Sequence, residues 1–325
     1  MASALLSLTE CIAPQLAAVE DLFHQELKSE LPSVDALVKH VSRFRGKMLR
    51  PTLLLLAGKA CGGELTNAHV TLATVVEMVH MATLVHDDVL DEAELRRKGA
   101  TINHLRGNEA AVLLGDYLIS HSYHLCSSLD SQLASRTIAR TTNQVCEGEL
   151  LQIDNRNNLN LDEETYLKII ARKTAVLCAT CCFLGAHQSG ASPDVCKRLE
   201  TYGMSLGIAF QIQDDILDIV GDTHVVGKTL GIDADKGKLT LPAIHFLRHA
   251  PQEHRALLRS LLSGHDADKA EKIRNLIVPS DSIAYAQNRA KELVEQAQEQ
   301  LSVLRDSEPR RVLETMANFV IARPM

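Results

Sequence analysis

The 325-residue sequence predicts an all-α protein, on three observations. Apolar residues recur at three- and four-residue steps almost throughout, as in Leu72, Val75, Val76, Val79, Leu84 and Leu90, and strand-like alternation bounded by turns is absent. Aromatics make up 3% with no Trp, so the 46% hydrophobic content comes mainly from Leu, Ala, Val and Ile, which pack helix on helix in well-defined rotamers. Helix boundary signals punctuate the pattern.

Pro51 opens a helix that Gly62-Gly63 closes, Asn108 caps the next long one, Asp162 caps another, and Ser192-Pro193 starts one more. About ten or more helices result. No Pro-, Ser- or Gly-rich linker and no fixed-period repeat interrupts them, so a single domain over 1–325 is expected.

A net charge of −7 argues against a nucleic-acid partner, though local basic clusters remain free to hold an anionic small molecule. The eight cysteines lie mostly in apolar runs, as at Cys178, Cys181 and Cys182, and lack zinc-site spacing. They read as small core thiols in a reducing, cytoplasmic setting. Residues 1–27 carry no Lys or Arg, so neither a secretory nor an Arg-rich transit segment is expected. No apolar run approaches the ~18 residues of a membrane span, so no integral membrane segment is expected.

Two hexads carry the chemistry: His86-Asp87-Asp88-Val89-Leu90-Asp91 and Gln213-Asp214-Asp215-Ile216-Leu217-Asp218. On a helix, residues i and i+4 share a face, so Asp87 points with Asp91 and Asp214 with Asp218, while Asp88 and Asp215 flank them about 100° round. Three carboxylates so close raise one another's pKa unless a cation neutralises them, and hard oxygen ligands suit Mg²⁺ shared with substrate phosphates. A single such cluster is balanced between a metal claw and a solvated helix end. Two in a chain with 20 Asp, both ending apolar helical runs, favour the metal reading, with Asp87, Asp88, Asp91, Asp214, Asp215 and Asp218 as ligands.

A metal–diphosphate complex also needs cations from the protein. Gly46-Lys47-Met48-Leu49-Arg50-Pro51 sets a Lys and an Arg at a helix N-terminus, where free N–H groups and the dipole favour an anion. Arg96-Arg97-Lys98 follows the first claw by about one helical turn. Later come Lys173-Thr174, Lys228 and Lys238. Singly, each is most often a surface charge, and His80 on its apolar helix is equally a satisfied core residue or a ligand.

In combination these residues resemble the trans-type isoprenyl (polyprenyl) diphosphate synthase family over almost the whole length. Gly-Lys-x-x-Arg-Pro at 46–51, the first aspartate motif with its trailing Arg pair, Gly115-Asp116, Glu147-Gly148-Glu149, Lys173-Thr174, Gln211 and the stretch ending Leu239-Thr240-Leu241-Pro242 all match. The resemblance implies an antiparallel helix bundle around a deep central cavity, a homodimer, and isopentenyl diphosphate and an allylic diphosphate as substrates. It implies two or three Mg²⁺ ions bridging the claws and the allylic diphosphate. Gly46, Lys47, Arg50, His80 and Arg97 would hold the diphosphate of isopentenyl diphosphate. Arg96, Lys173, Thr174, Gln211 and Lys228 would form the allylic side, with Lys238 close by.

The implied reaction is ionisation, condensation and proton loss, giving an all-trans polyprenyl diphosphate. Asp87, Asp88, Asp91, Arg96, Lys173, Asp214, Asp215 and Lys228 would stabilise the leaving diphosphate more in the transition state than before it. Ala82 and Thr83, five and four places ahead of Asp87, stand where an aromatic resembles the short-product enzymes, so a product of at least C20 is expected. Val75, Met78, Tyr117 and Tyr123 are candidates for the cavity floor. A class I terpene cyclase would normally lack the Gly-Lys-x-x-Arg site and the second full motif, and a non-catalytic partner subunit would tend to have lost claw carboxylates.

Overall fold

Apolar residues at helical spacing give long helices whose buried faces set the packing, and among the described residues the computed structural model is all-α apart from one short hairpin. It describes residues 9–44, 46, 48–97, 99–221, 231–264 and 268–322. By packing, the chain groups into two compact units, neither continuous in sequence.

The first unit comprises Met1–Thr142, Thr180–Glu200 and Val303–Leu313. Its helices include α1 (Ala13–Glu26), α2 (Pro32–Ser42), α3 (Leu49–Ala60), α4 (Asn67–Leu90), α5 (Ile102–Arg106) and α6 (Asn108–Ser127). At the centre is α4, which packs against α1, α3 and α6 and buries Leu72, Val75, Val76, Met78, Val79 and Ala82 almost completely. Each of the Leu, Val and Met side chains among them contributes about 1.5–3 kcal/mol on leaving water. Thr66 and His69 form a capping box at the start of α4, and His69 Nε2 reaches Ser189 Oγ at 2.9 Å.

α3 begins two residues before Pro51, at Leu49, behind Met48 in a left-handed conformation. It ends at Ala60, with Gly62 at φ 87° turning the chain away. Between α4 and α5 lies an antiparallel hairpin, Leu95–Arg96 with Gly99–Ala100, which the sequence pattern does not disclose. Its strands of two residues are too short for alternation to register.

The second unit comprises Asn143–Ala179, Thr201–Ser302 and Glu314–Met325. Here lie the second half of α7 (Gln132–Asp154), then α8 (Glu163–Ile170), which continues through a π turn at Ala171–Ala175 into the start of α9 (Val176–Gln188), and the C-terminal part of α10 (Pro193–Val220). Asp162 caps α8 as expected, accepting from Thr165 N at 2.7 Å. The short α11 (Ile232–Asp235) leads to α12 (Leu241–His249), α13 (Gln252–Ser263), α14 (Lys269–Ile277) and α15 (Ser282–Gln300). Their apolar faces meet around Tyr166, Ile212, Ile216, Leu241, Phe246 and Ala286.

The π turn is gripped at backbone range from two sides. A Cβ at Gly148 would lie 2.5 Å from Lys173 N, and one at Gly207 would lie 2.6 Å from Ala175 Cα, so α7 and α10 need glycine there.

One expectation is corrected. Asn67–Leu90 and Glu163–Gln188 are both long and apolar enough to cross a membrane, although no run was expected to approach that length. Of these apolar windows, 67% and 72% are buried in the structure, so both are core helices. All eight cysteines are reduced. Cys126, Cys178, Cys181, Cys182 and Cys196 are buried as expected, while Cys146 is exposed.

Candidate active site

Both aspartate hexads sit where their helices end: α4 stops at Leu90 with Asp91 as its C-cap, and α10 stops at Val220. Carboxylates at a helix C-terminus oppose the dipole, a cost of about 0.3–1 kcal/mol each that a bound cation offsets. Within each hexad the three acids divide in the same way. Asp87 and Asp91, and likewise Asp214 and Asp218, keep partial exposure, whereas Asp88 and Asp215 are buried.

The buried pair is held by protein donors. Arg96 forks onto Asp88 with contacts of 2.7, 2.9 and 3.0 Å, placed there by the hairpin that turns the chain back over the end of α4. Asp215 accepts from Tyr166 Oη at 2.7 Å and from Gln211 Nε2 at 2.8 Å. Burial, reinforced by the neighbouring Asp233, pushes the Asp215 carboxyl well above the usual carboxylate range, and the Gln211 and Tyr166 hydrogen bonds pull the other way.

In the first unit the basic residues gather around His80. Burial together with the charges of Arg50, Arg97 and Arg96 drives the His80 imidazole well below its ordinary pKa, so the ring is neutral. Arg50 Nε is buried with no hydrogen-bond acceptor, an orphaned cationic donor of the kind an anion satisfies. Arg97 takes a positive φ of 48° and donates to the Phe44 carbonyl. Gly46 lies flat against it: a Cβ there would meet the guanidinium at 2.6 Å. Gly46, Arg50, His80, Arg96 and Arg97 are thus brought together; Lys47 and Lys98 lie outside the described residues. His86 Nε2, beside the claw, approaches Asp116 at 3.5 Å over Gly115, which explains the Gly-Asp pair.

In the second unit a hydrogen-bond chain runs from the π turn to the second claw. Thr174 Oγ1 donates to Gln211 Oε1 at 3.0 Å, Gln211 Nε2 donates to Asp215, and Tyr166 donates to the other Asp215 oxygen. The π turn matters to this geometry. Tyr166 and Thr174 are eight positions apart, about 80° off one face in a plain α-helix; one π turn absorbs one extra residue, and the pair then behaves like i and i+7. Lys173 pairs with Glu149, and Arg172 with Glu147, so the Glu-Gly-Glu motif braces the π turn. Lys238 lines a cavity of about 200 Å³ together with Asp218, Asp233 and Arg274. Lys228 lies outside the described residues.

Among the described residues no group of three or more His, Cys, Asp or Glu side chains is close enough to hold a metal unaided. Two part-exposed carboxylates per claw suit a small hard cation such as Mg²⁺, which keeps waters and takes further oxygens from a substrate phosphate. The sequence reading missed Tyr166 and Asp233. Asp233 N donates to Asp218 Oδ2 at 3.3 Å, and its place five residues after Lys228 was the available signal.

A family model described as polyprenyl synthetase matches residues 32–278. The chain is 34% identical to the octaprenyl diphosphate synthase of Escherichia coli over 317 residues, 97% of this chain and 98% of that one. Among solved structures, a decaprenyl diphosphate synthase from Rhodobacter capsulatus superposes with a TM-score of 0.91 at 34% identity, covering 97% of this chain and 98% of that one. A polyprenyl synthase from Caulobacter crescentus, complexed with calcium and isoprenyl diphosphate, does so with a TM-score of 0.91 at 32% identity and 97% of each chain.

Proposed function

The chain belongs to the polyprenyl synthetase family, and from that premise we infer that it works as a trans-polyprenyl diphosphate synthase, lengthening an allylic diphosphate with isopentenyl diphosphate. The observation that carries the two-diphosphate reading is the pairing of Arg50 and Arg97 with a neutral His80, with Arg50 Nε lacking an acceptor, while Arg96 stays on the allylic side beside Asp88. That group takes the diphosphate of isopentenyl diphosphate, with Gly46 packed against Arg97 and Lys47 joining it on the sequence motif alone. A cyclase, which handles one diphosphate, has no use for it.

Mg²⁺ would be held by Asp87 and Asp91 in the first unit and by Asp214 and Asp218 in the second, with Asp88 and Asp215 bracing each claw from within. When bound, it supplies Lewis-acid stabilisation of the leaving diphosphate. The chain's own residues do the rest. Lys173, Lys228 and Lys238 add positive charge on the allylic side. Thr174 and Gln211 turn fixed dipoles towards the allylic carbon as the C–O bond breaks. Arg50, His80 and Arg97 hold the second substrate so that its double bond meets the cation at bond-forming range. The proton is then lost to the released diphosphate, and the buried Leu-, Ala- and Val-rich faces keep water from the intermediate.

A medium-to-long product fits the absence of an aromatic at Ala82 and Thr83 and the octaprenyl and decaprenyl products named for the relatives. Residues 1–325 act as one synthase domain, in the cytoplasm, where free thiols are the norm. A homodimer accounts for the exposed Val112 and Leu113 on α6.

The test is incubation of the purified protein with Mg²⁺, labelled isopentenyl diphosphate and farnesyl diphosphate, resolving dephosphorylated products by length. A ladder ending at one dominant length, lost in Asp87→Ala and Asp214→Ala, is expected. A hydrocarbon formed without isopentenyl diphosphate, or no product from a folded protein with any allylic starter, would sink the reading.

A further inference from the structure

Tyr166 is 3% exposed and packs among Ile212, Ile216 and Leu241, where a Phe would fill the same volume. Its hydroxyl therefore has a purpose other than packing. We propose that Tyr166 is a positioning residue for ionisation of the allylic substrate, its hydroxyl fixing the direction of the hydrogen-bond chain that ends at Thr174. This rests on the synthase reading above.

The direction follows from the geometry at Asp215, both of whose oxygens accept, one from Tyr166 and one from Gln211, as a carboxylate ionised beside a bound cation does. Tyr166 Oη gives its one proton to Asp215 Oδ2 at 2.7 Å. Asp215 Oδ1 accepts from Gln211 Nε2 at 2.8 Å, which pins the amide with nitrogen towards Asp215 and oxygen away from it. Gln211 Oε1 then accepts the single proton of Thr174 Oγ1 at 3.0 Å. What Thr174 has left is lone pairs. A hydroxyl committed in this way presents the negative end of its dipole and cannot rotate to present its proton, and that is the arrangement a developing allylic cation requires in advance.

Removing the Tyr166 hydroxyl strips buried Asp215 of one of its two donors. The carboxyl is then free to turn, and the Gln211 amide loses the partner that distinguishes its nitrogen from its oxygen. Thr174 would point its proton or its lone pairs at the substrate in turn. No proton travels along the chain in the reaction: the allylic C–O bond breaks heterolytically, its electron pair leaves with the diphosphate, and the relay only holds a dipole still.

The experiment is a double-mutant cycle on turnover. Tyr166→Phe is expected to lower kcat about 10- to 100-fold, with both KM values and the Mg²⁺ midpoint within about twofold of wild type. Thr174→Val should lose as much or more, Thr174→Ser should recover most of it, and Tyr166→Phe combined with Thr174→Val should be no worse than Thr174→Val alone, because both act through one chain. An unchanged kcat in Tyr166→Phe, losses that multiply in the double variant, or a Mg²⁺ midpoint that moves with kcat would each overturn the proposal. The ultraviolet resonance Raman difference between wild type and Tyr166→Phe reports a tyrosine donating to a carboxylate whether or not the protein turns over; if it does not, the relay is absent and the proposal fails. A wild type that shows the donating tyrosine yet builds no ladder defeats the synthase reading, and with it the catalytic purpose assigned here, while an active wild type with an indifferent Tyr166→Phe defeats this inference alone.

Discussion

Arg96 lies with its guanidinium across both carboxylate oxygens of Asp88, at 2.7 to 3.0 Å, so the middle acid of the first claw is already neutralised by the protein. The second claw treats Asp215 in the same manner with uncharged donors, Tyr166 and Gln211. Each Asp-Asp-x-x-Asp sequence thus contains two kinds of aspartate, an outer pair that keeps partial exposure and an inner one buried against protein donors.

The division gives different outcomes for neighbouring residues. Asp91→Asn should raise the Mg²⁺ midpoint and cut kcat by about 100-fold or more. Asp88→Asn should leave the Mg²⁺ midpoint within about threefold but lower unfolding free energy by about 1.5–3 kcal/mol, since Arg96 loses its charged partner. Metal titration of activity, set beside urea denaturation of both variants, separates the two.

Arg50 is expected to act in binding more than in chemistry. Arg50→Ala should raise KM for isopentenyl diphosphate by about 10- to 100-fold, the worth of a charge-assisted hydrogen bond, with a smaller change in KM for the allylic substrate. Steady-state kinetics with each substrate varied in turn decides this. Equal shifts for both would place Arg50 elsewhere.

Product length should respond to Thr83 and not usefully to Ala82. Thr83 keeps partial exposure, while Ala82 is 0% exposed and enclosed on α4. Thr83→Phe should shorten the dominant product, read from the ladder. Ala82→Phe should instead overpack the core, costing about 1–3 kcal/mol, seen as a lower melting temperature.

His80 gives a pH signature. Its folded pKa is held well below the unfolded value of 6.5. Above that value both states are neutral and the group contributes no pH dependence. As pH falls below it the unfolded chain takes a proton that the folded chain refuses, and stability drops by up to about 1.4 kcal/mol per pH unit until the folded pKa is reached. Burial lowers His69, His121 and His245 in the same direction, so the acid limb is shared. Between pH 6.5 and 5.5, His80→Gln should lose about 1 kcal/mol less than wild type in urea melts.

Much of this was legible in the sequence, for reasons that locate what was not. The i, i+4 spacing of Asp87 with Asp91 and of Asp214 with Asp218 survives in the structure because spacing along a helix is a local property. The capture of Asp88 by Arg96 depends on a hairpin of two residues per strand, below the length at which any periodicity can be seen. Pro51 marked α3 but placed its start two residues late, because Met48 in a left-handed conformation begins the helix by another route. Tyr166 stayed hidden because it stands eight positions before Thr174, a spacing that helical periodicity assigns to different faces. The glycine grips at Gly148 and Gly207 are tertiary facts, and a glycine inside a helical pattern announces only that something comes close.

The π turn at Ala171–Ala175 constrains how this stretch of chain is free to change over evolutionary time. A π turn is a helix carrying a residue too many, and deleting one position between Tyr166 and Thr174 would relieve it, leaving a smoother and locally more favourable helix. Such a deletion would leave the two residues seven positions apart on a plain helix, still on one face. Straightening the helix with the extra residue kept would instead turn them about 80° apart, and either Tyr166 would leave Asp215 or Thr174 would leave Gln211. The extra residue and the turn that stores it are therefore inherited together: a spacing of eight requires the π turn, and a substitution that straightens it would break the relay without touching either side chain.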